Sequence, residues 1–200
     1  MRKHLLTAAF ALLAALPPAT AQKIKLQEGS LAPLNGISKL NIQYDYSDMS
    51  VGKFDKEADY LEKKKADYNK DEAGKGDRWE ASWKNDRAAR FEPQFEELFN
   101  KYGAGLTVGK YPSEKYTLVF KTTFTEPGFN VHVMRKNALI NAEVLIIETA
   151  SPSTVIARLS LDKSPGRTFG GYDYDTGERI QEAYAAAGKA LAKYFEKERN

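Results

Sequence analysis

The feature that most constrains this chain is a run of period-two alternation between Tyr116 and Asp162. Tyr116, Leu118 and Phe120 share one phase of a strand that Phe124 continues. Glu126-Pro127-Gly128 supplies turn chemistry, since proline presets one turn dihedral and glycine accepts positive φ. Phe129, Val131 and Val133 then alternate with Asn130, His132 and Met134 as a further strand. Ala142, Val144 and Ile146 lie on one phase of the next, Leu145 and Ile147 on the other. Pro152 marks a turn, after which Val155, Ala157, Leu159 and Leu161 alternate with Arg158, Ser160 and Asp162. A period of two turns one face to a core and one to water. Short turns between such neighbours predict antiparallel pairing.

Helices flank this block. Residues 22–37 contain Gly29, Pro33 and Gly36 with little periodicity and read as a flexible lead-in, followed by one domain over 38–200. Leu40, Ile42, Tyr44 and Tyr46 alternate with polar residues as a first strand. Ala58–Asn69 reads as a helix with Tyr60, Leu61 and Tyr68 as its apolar grip, and Lys63-Lys64-Lys65 as a solvated face. Asp77 is placed to cap a second helix carrying Trp79 and Trp83 on one side. A helix interior rejects proline and a first turn accepts it. A break near Phe91 is therefore predicted, with a new helix over Pro93–Tyr102. Leu106–Gly109 is a short strand. Ile180, Tyr184, Ala187, Leu191 and Tyr194 or Phe195 form a helical stripe at the C-terminus. Asp175 with Glu178 three residues on fits a capping box at its start. The expected fold is α+β: a mainly antiparallel sheet of about five strands with helices packed on one face.

The first residues set the compartment. Met1-Arg2-Lys3-His4 is basic, Leu5–Leu16 is apolar apart from Thr7, and Pro17-Pro18 precede Ala19-Thr20-Ala21. This is the layout of a secretory signal peptide over residues 1–21, with cleavage before Gln22. The apolar run is shorter than the ~20 residues a membrane span needs. The expected mature protein is periplasmic or secreted, with no membrane span. The chain has no cysteine, so neither a disulfide nor a lipidated N-terminal cysteine is expected, and stability rests on packing. Of 30 basic residues two leave with the leader, facing 27 acids. So small an excess argues against a nucleic-acid partner.

Catalytic and cofactor signatures are sparse. One histidine, His132, follows the leader, and it sits on the polar phase of a strand with no thiol or nucleophile elbow to serve. Asp173, Asp175 and Glu178 present the acidic opening of a calcium loop but lack its later bidentate acid. Capping explains the same residues. Gly74-Lys75-Gly76 and Gly103-Ala104-Gly105 lack phosphate-loop context. No cofactor is expected. Trp79 and Trp83 share a helix face that Arg87 and Arg90 continue, a composition found at binding hot spots. The preferred reading is that both tryptophans cover the sheet while the arginines reach past them to water.

The element order carried by YTLVFKTTF, AEVLIIETASPSTVIARLSL and EAYAAAGKALAKYF resembles a class of exported Gram-negative proteins. These include uncharacterised secreted proteins, the N-terminal domain of the Tol translocation protein, and the lipoprotein activators of penicillin-binding proteins. The resemblance implies an envelope domain that works through contacts with a protein or a cell-wall glycan, and carries over no site residue. The function expected is an exported, non-catalytic binding or adaptor module. The alternatives are a calcium-dependent ligand binder or a small carboxylate-based hydrolase.

Overall fold

The computed structural model describes residues 22–131, 134–166 and 175–199. Its strands are β1 (Lys23–Gly29), β2 (Lys39–Asp45), β3 (Ser50–Val51), β4 (Thr107–Gly109), β5 (Tyr116–Glu126), β6 (Phe129–Val131), β7 (Met134–Lys136), β8 (Ala138–Glu148) and β9 (Ser151–Gly166). Its helices are α1 (Glu57–Asp71), α2 (Lys75–Asp86), α3 (Glu92–Tyr102) and α4 (Thr176–Glu198). Among the described residues seven strands form one sheet in the order β1-β9-β8-β5-β2-β4, with β3 also on β5, and β6 and β7 form a separate ribbon. The fold is α+β.

The alternation of the sequence becomes the sheet's two faces. Leu118 pairs with Ile146 and Val144 with Leu159, and these side chains are buried with Phe120, Ala157 and Leu161. The opposite phase carries Lys121 against Glu143, and Arg158 donates to Glu143. α3 and α4 cover the apolar face. Phe120 meets Phe95 at 4.7 Å between ring centres, and Phe91 stacks on Tyr184 at 5.2 Å. Ala183, Ala187, Gly188 and Ala192 line the buried side of α4 and let it lie close to α3. A Cβ on Gly188 would stand 2.3 Å from the Phe95 carbonyl oxygen.

The sheet is mainly antiparallel, as expected, with a parallel part, and several finer expectations need correction. β1, β9, β8 and β5 pair antiparallel in turn, but β2 runs parallel to both β4 and β5, and β3 parallel to β5. The three intervening helices form a crossover, which brings the chain back in the same direction. The lead-in 22–37 contains β1, which pairs Ile24 with Leu161 and Leu26 with Leu159. As an edge strand it leaves nearly every side chain in water, and its alternation is confined to Ile24 and Leu26 against Lys23, Lys25 and Gln27, too short to stand out before Gly29 and Pro33.

The break near Phe91 is also absent. Arg87–Phe91 is a π-turn in which the Glu92 N–H donates to the Arg87 carbonyl five residues back. That widened turn carries α2 into α3 where Pro93 offers no donor. α2 itself starts at Lys75, with Gly74 in the left-handed region, and Asp77 in its first turn pairs with Lys65 at 2.8 Å. Of the strand expected from Phe129 to Met134, Phe129–Val131 is β6, which pairs antiparallel with β7 as a ribbon, and Phe129, Val131 and Met134 are exposed. Buried Arg179 holds the base of the ribbon by donating to the Pro127 carbonyl at 3.2 Å. No helix among the described residues is long and apolar enough to cross a membrane.

Candidate functional site

The aromatic pair forms the heart of a helical corner. Trp79 and Trp83 lie 5.7 Å apart, and Tyr60 packs on both at 5.8 and 5.2 Å. Trp83 is buried, and its Nε1 donates to Glu57 Oε1 at 2.5 Å. Arg87 donates to the same oxygen and lies 4.3 Å over the Tyr46 ring. Arg90 pairs with Asp86 at 3.2 Å and with Asp175 at 2.6 Å. Trp83, Arg87 and Arg90 thus each make contacts within the chain, and Trp83 also borders the cleft that Trp79 reaches. Half-buried Trp79 reaches, with Tyr68 and Ser82, the rim of a 220 Å³ cleft that touches Asp86, Asp175 and Gly177.

The acidic motif acts as a cap. Asp175 Oδ1 accepts from the Gly177 N–H at 2.8 Å while Oδ2 takes Arg90. Burial pushes this carboxyl up, but the Arg90 guanidinium and the Gly177 amide outweigh it and hold it below the ordinary aspartate value. Asp173 and His132 lie outside the described residues. Among the described residues no three His, Cys, Asp or Glu side chains converge to hold a metal.

A different place brings titratable side chains together. α3 lies over β2, and its Glu92 and Glu96, one turn apart, reach a groove of 360 Å³ walled by Ile42, Gln43, Tyr44 and Lys110. Tyr46 Oη donates to Glu92 Oε1 at 3.3 Å. Tyr44 Oη lies 3.2 Å from the Glu92 carbonyl and 3.4 Å from Glu96 Oε1. Burial pushes both carboxyls above the ordinary glutamate value, against the lowering effect of these phenols. The charge of Glu92 adds to the rise at Glu96, and Lys110 opposes it at both. Burial likewise raises both phenols, so they stay protonated donors. A cleft holding titratable groups displaced by burial is where binding chemistry concentrates.

The sequence offered a faint sign of this site. Glu92 and Glu96 flank Phe95 and Phe99 on the edge of the α3 stripe, a position where an acid is drawn partly out of water. The π-turn sets that edge over β2, and π-turns recur at functional sites. A larger recess of 420 Å³ lies at the Pro112–Lys115 turn beside Glu148, Thr149 and Ala150. None of its lining side chains is buried, although the Thr149 hydroxyl meets that of Thr117 at 2.9 Å.

No family model and no curated protein matches the sequence. Among solved structures, the PelC dodecamer of Paraburkholderia phytofirmans aligns over 86% of this chain and 97% of its own, at 9% identity and a TM-score of 0.38. A point variant of the same protein aligns over the same shares at 9% identity and a TM-score of 0.37. Likeness at that level transfers neither site nor partner.

Proposed function

We propose that the mature chain is a non-catalytic binding or adaptor module of the bacterial envelope, and that the groove between α3 and β2 is its ligand seat. The leader-like first 21 residues support the compartment. The observation that carries the seat is the pair of half-buried carboxyls, Glu92 and Glu96, held by Tyr46 and Tyr44 at an open groove. Partly desolvated acids cost the fold stability unless a cation completes them. The seat therefore suits a ligand bearing an ammonium or guanidinium group.

Hydrolysis by paired carboxylates fits less well. Such acids flank the scissile bond from opposite sides, whereas both of these rise from one helix and face Gln43 and Lys110. The test is a titration of 15N-labelled protein with methylammonium and with glucosamine. Amide shifts are expected around Gln43, Glu96 and Lys110, and lost in the Glu92→Gln/Glu96→Gln variant. Shifts that avoid the groove, or that persist unchanged in the double variant, would overturn the assignment.

A further inference from the structure

We propose that the groove receives an extended polypeptide segment, which adds as a strand to the free edge of β2 and seats one lysine or arginine on Glu92 and Glu96. This rests on the reading of the groove as a ligand seat and names its partner.

The first argument is the unfinished edge. β4 pairs with β2 only from Lys39 to Asn41, while β5 pairs with its other side from Asn41 to Asp45. From Ile42 to Asp45 the outer edge of β2 has no strand partner among the described residues. Backbone donors and acceptors on such an edge are a template for another strand.

The second is where the groove runs. Ile42 and Tyr44 point to the helix side of the sheet and Gln43 to the other, because successive strand side chains alternate. A groove touching all three therefore follows the strand's edge, in line with β4. Four residues of edge span about 13 Å, enough for a short segment held by main-chain bonds.

The third is charge. Two acids one helical turn apart form one wall, and Lys110 stands at the other. Lys110 would repel a second basic side chain, so the matching sequence carries a single basic residue among neutral ones.

The experiment uses fluorescence anisotropy with a labelled hexapeptide of alternating threonine and valine that has one central lysine. Two further peptides replace the lysine with norleucine or N-methylate alternate amides while keeping the lysine. The parent peptide should bind, each altered peptide at least ~10-fold more weakly, a loss of about 1.4 kcal/mol. The Glu92→Gln/Glu96→Gln protein should bind the parent no better than the norleucine peptide. Equal binding of the N-methylated and parent peptides overturns strand addition even if methylammonium occupies the groove. If neither the peptides nor methylammonium perturb the groove, the ligand seat fails together with this proposal.

Discussion

The Tyr46 phenol donates to the Glu92 carboxyl at 3.3 Å while its ring supports the Arg87 guanidinium at 4.3 Å. One side chain thus ties the helical corner to the acid wall of the groove. Tyr46→Phe keeps the ring and removes the donor. The Glu92 carboxyl, already raised by burial and lowered by this bond, should titrate higher still in a 13C carboxyl NMR titration. The fold should lose about 1 kcal/mol, as for a hydrogen bond to a partly buried acceptor. An unchanged Glu92 titration would mean that the phenol does not hold the acid.

The groove acids make stability depend on pH with a definite sign. Burial raises both folded-state values above those of the unfolded chain. The contribution of such a group is fully present below its unfolded value and fades as pH rises through the folded one. Near neutral pH the wild type therefore carries a cost that glutamine does not. Glu92→Gln/Glu96→Gln should melt above wild type at about pH 7, with the advantage shrinking towards about pH 4. A variant that melts lower at neutral pH and recovers in acid would reverse this sign.

Trp83 should behave as core. It is buried against Tyr60 and its indole N–H is satisfied by Glu57. Trp83→Ala should cost about 3–5 kcal/mol in denaturant unfolding. Trp83→Phe should cost less, because it fills most of the space and forfeits the indole bond. A cost below about 1 kcal/mol for the alanine variant would show that the corner is a surface platform after all.

What the sequence made legible follows from where its signals are local. The alternation in Leu118–Phe120, Val144–Ile146 and Leu159–Leu161 foretold β5, β8 and β9 because burial of one face writes itself residue by residue. The capping role of Asp175 was legible for the same reason, since its partner is the Gly177 amide two residues on. β1 was missed because its alternation is only Ile24 and Leu26 long, and on an exposed edge strand only Ile24 packs against the core. The parallel pairing of β2 was missed because it depends on a long crossover, not on any spacing within β2. Pro93 misled because the π-turn, a change of hydrogen-bond register, removes the cost that proline imposes. The groove left only the faint trace of Glu92 and Glu96 at the edge of the α3 stripe, because it needs Tyr44, Glu92, Glu96 and Lys110, which meet only once α3 lies over β2.

The closeness of α4 to α3 depends on Gly188. Its φ is ordinary, so the reason for glycine is space: an added Cβ would stand 2.3 Å from the Phe95 carbonyl oxygen. That atom belongs to the backbone of α3 and cannot swing aside like a side chain. Gly188→Ala must push the two helices apart or tilt one, loosening Phe95 against Phe120 and Phe91 against Tyr184. Alanine gains about 1 kcal/mol in helix propensity over glycine, but overpacking costs about 1–3 kcal/mol, so the close approach decides the sign. Thermal unfolding should show a lower midpoint for Gly188→Ala. Ala186→Gly, a half-buried site on the same helix, should also lower it, through propensity alone. Because α3 carries Glu92 and Glu96, Gly188→Ala should in addition shift groove amides near Gln43 and Lys110, which Ala186→Gly should leave in place. A stabilised Gly188→Ala would show that α3 and α4 do not pack as closely as the Phe95 carbonyl requires.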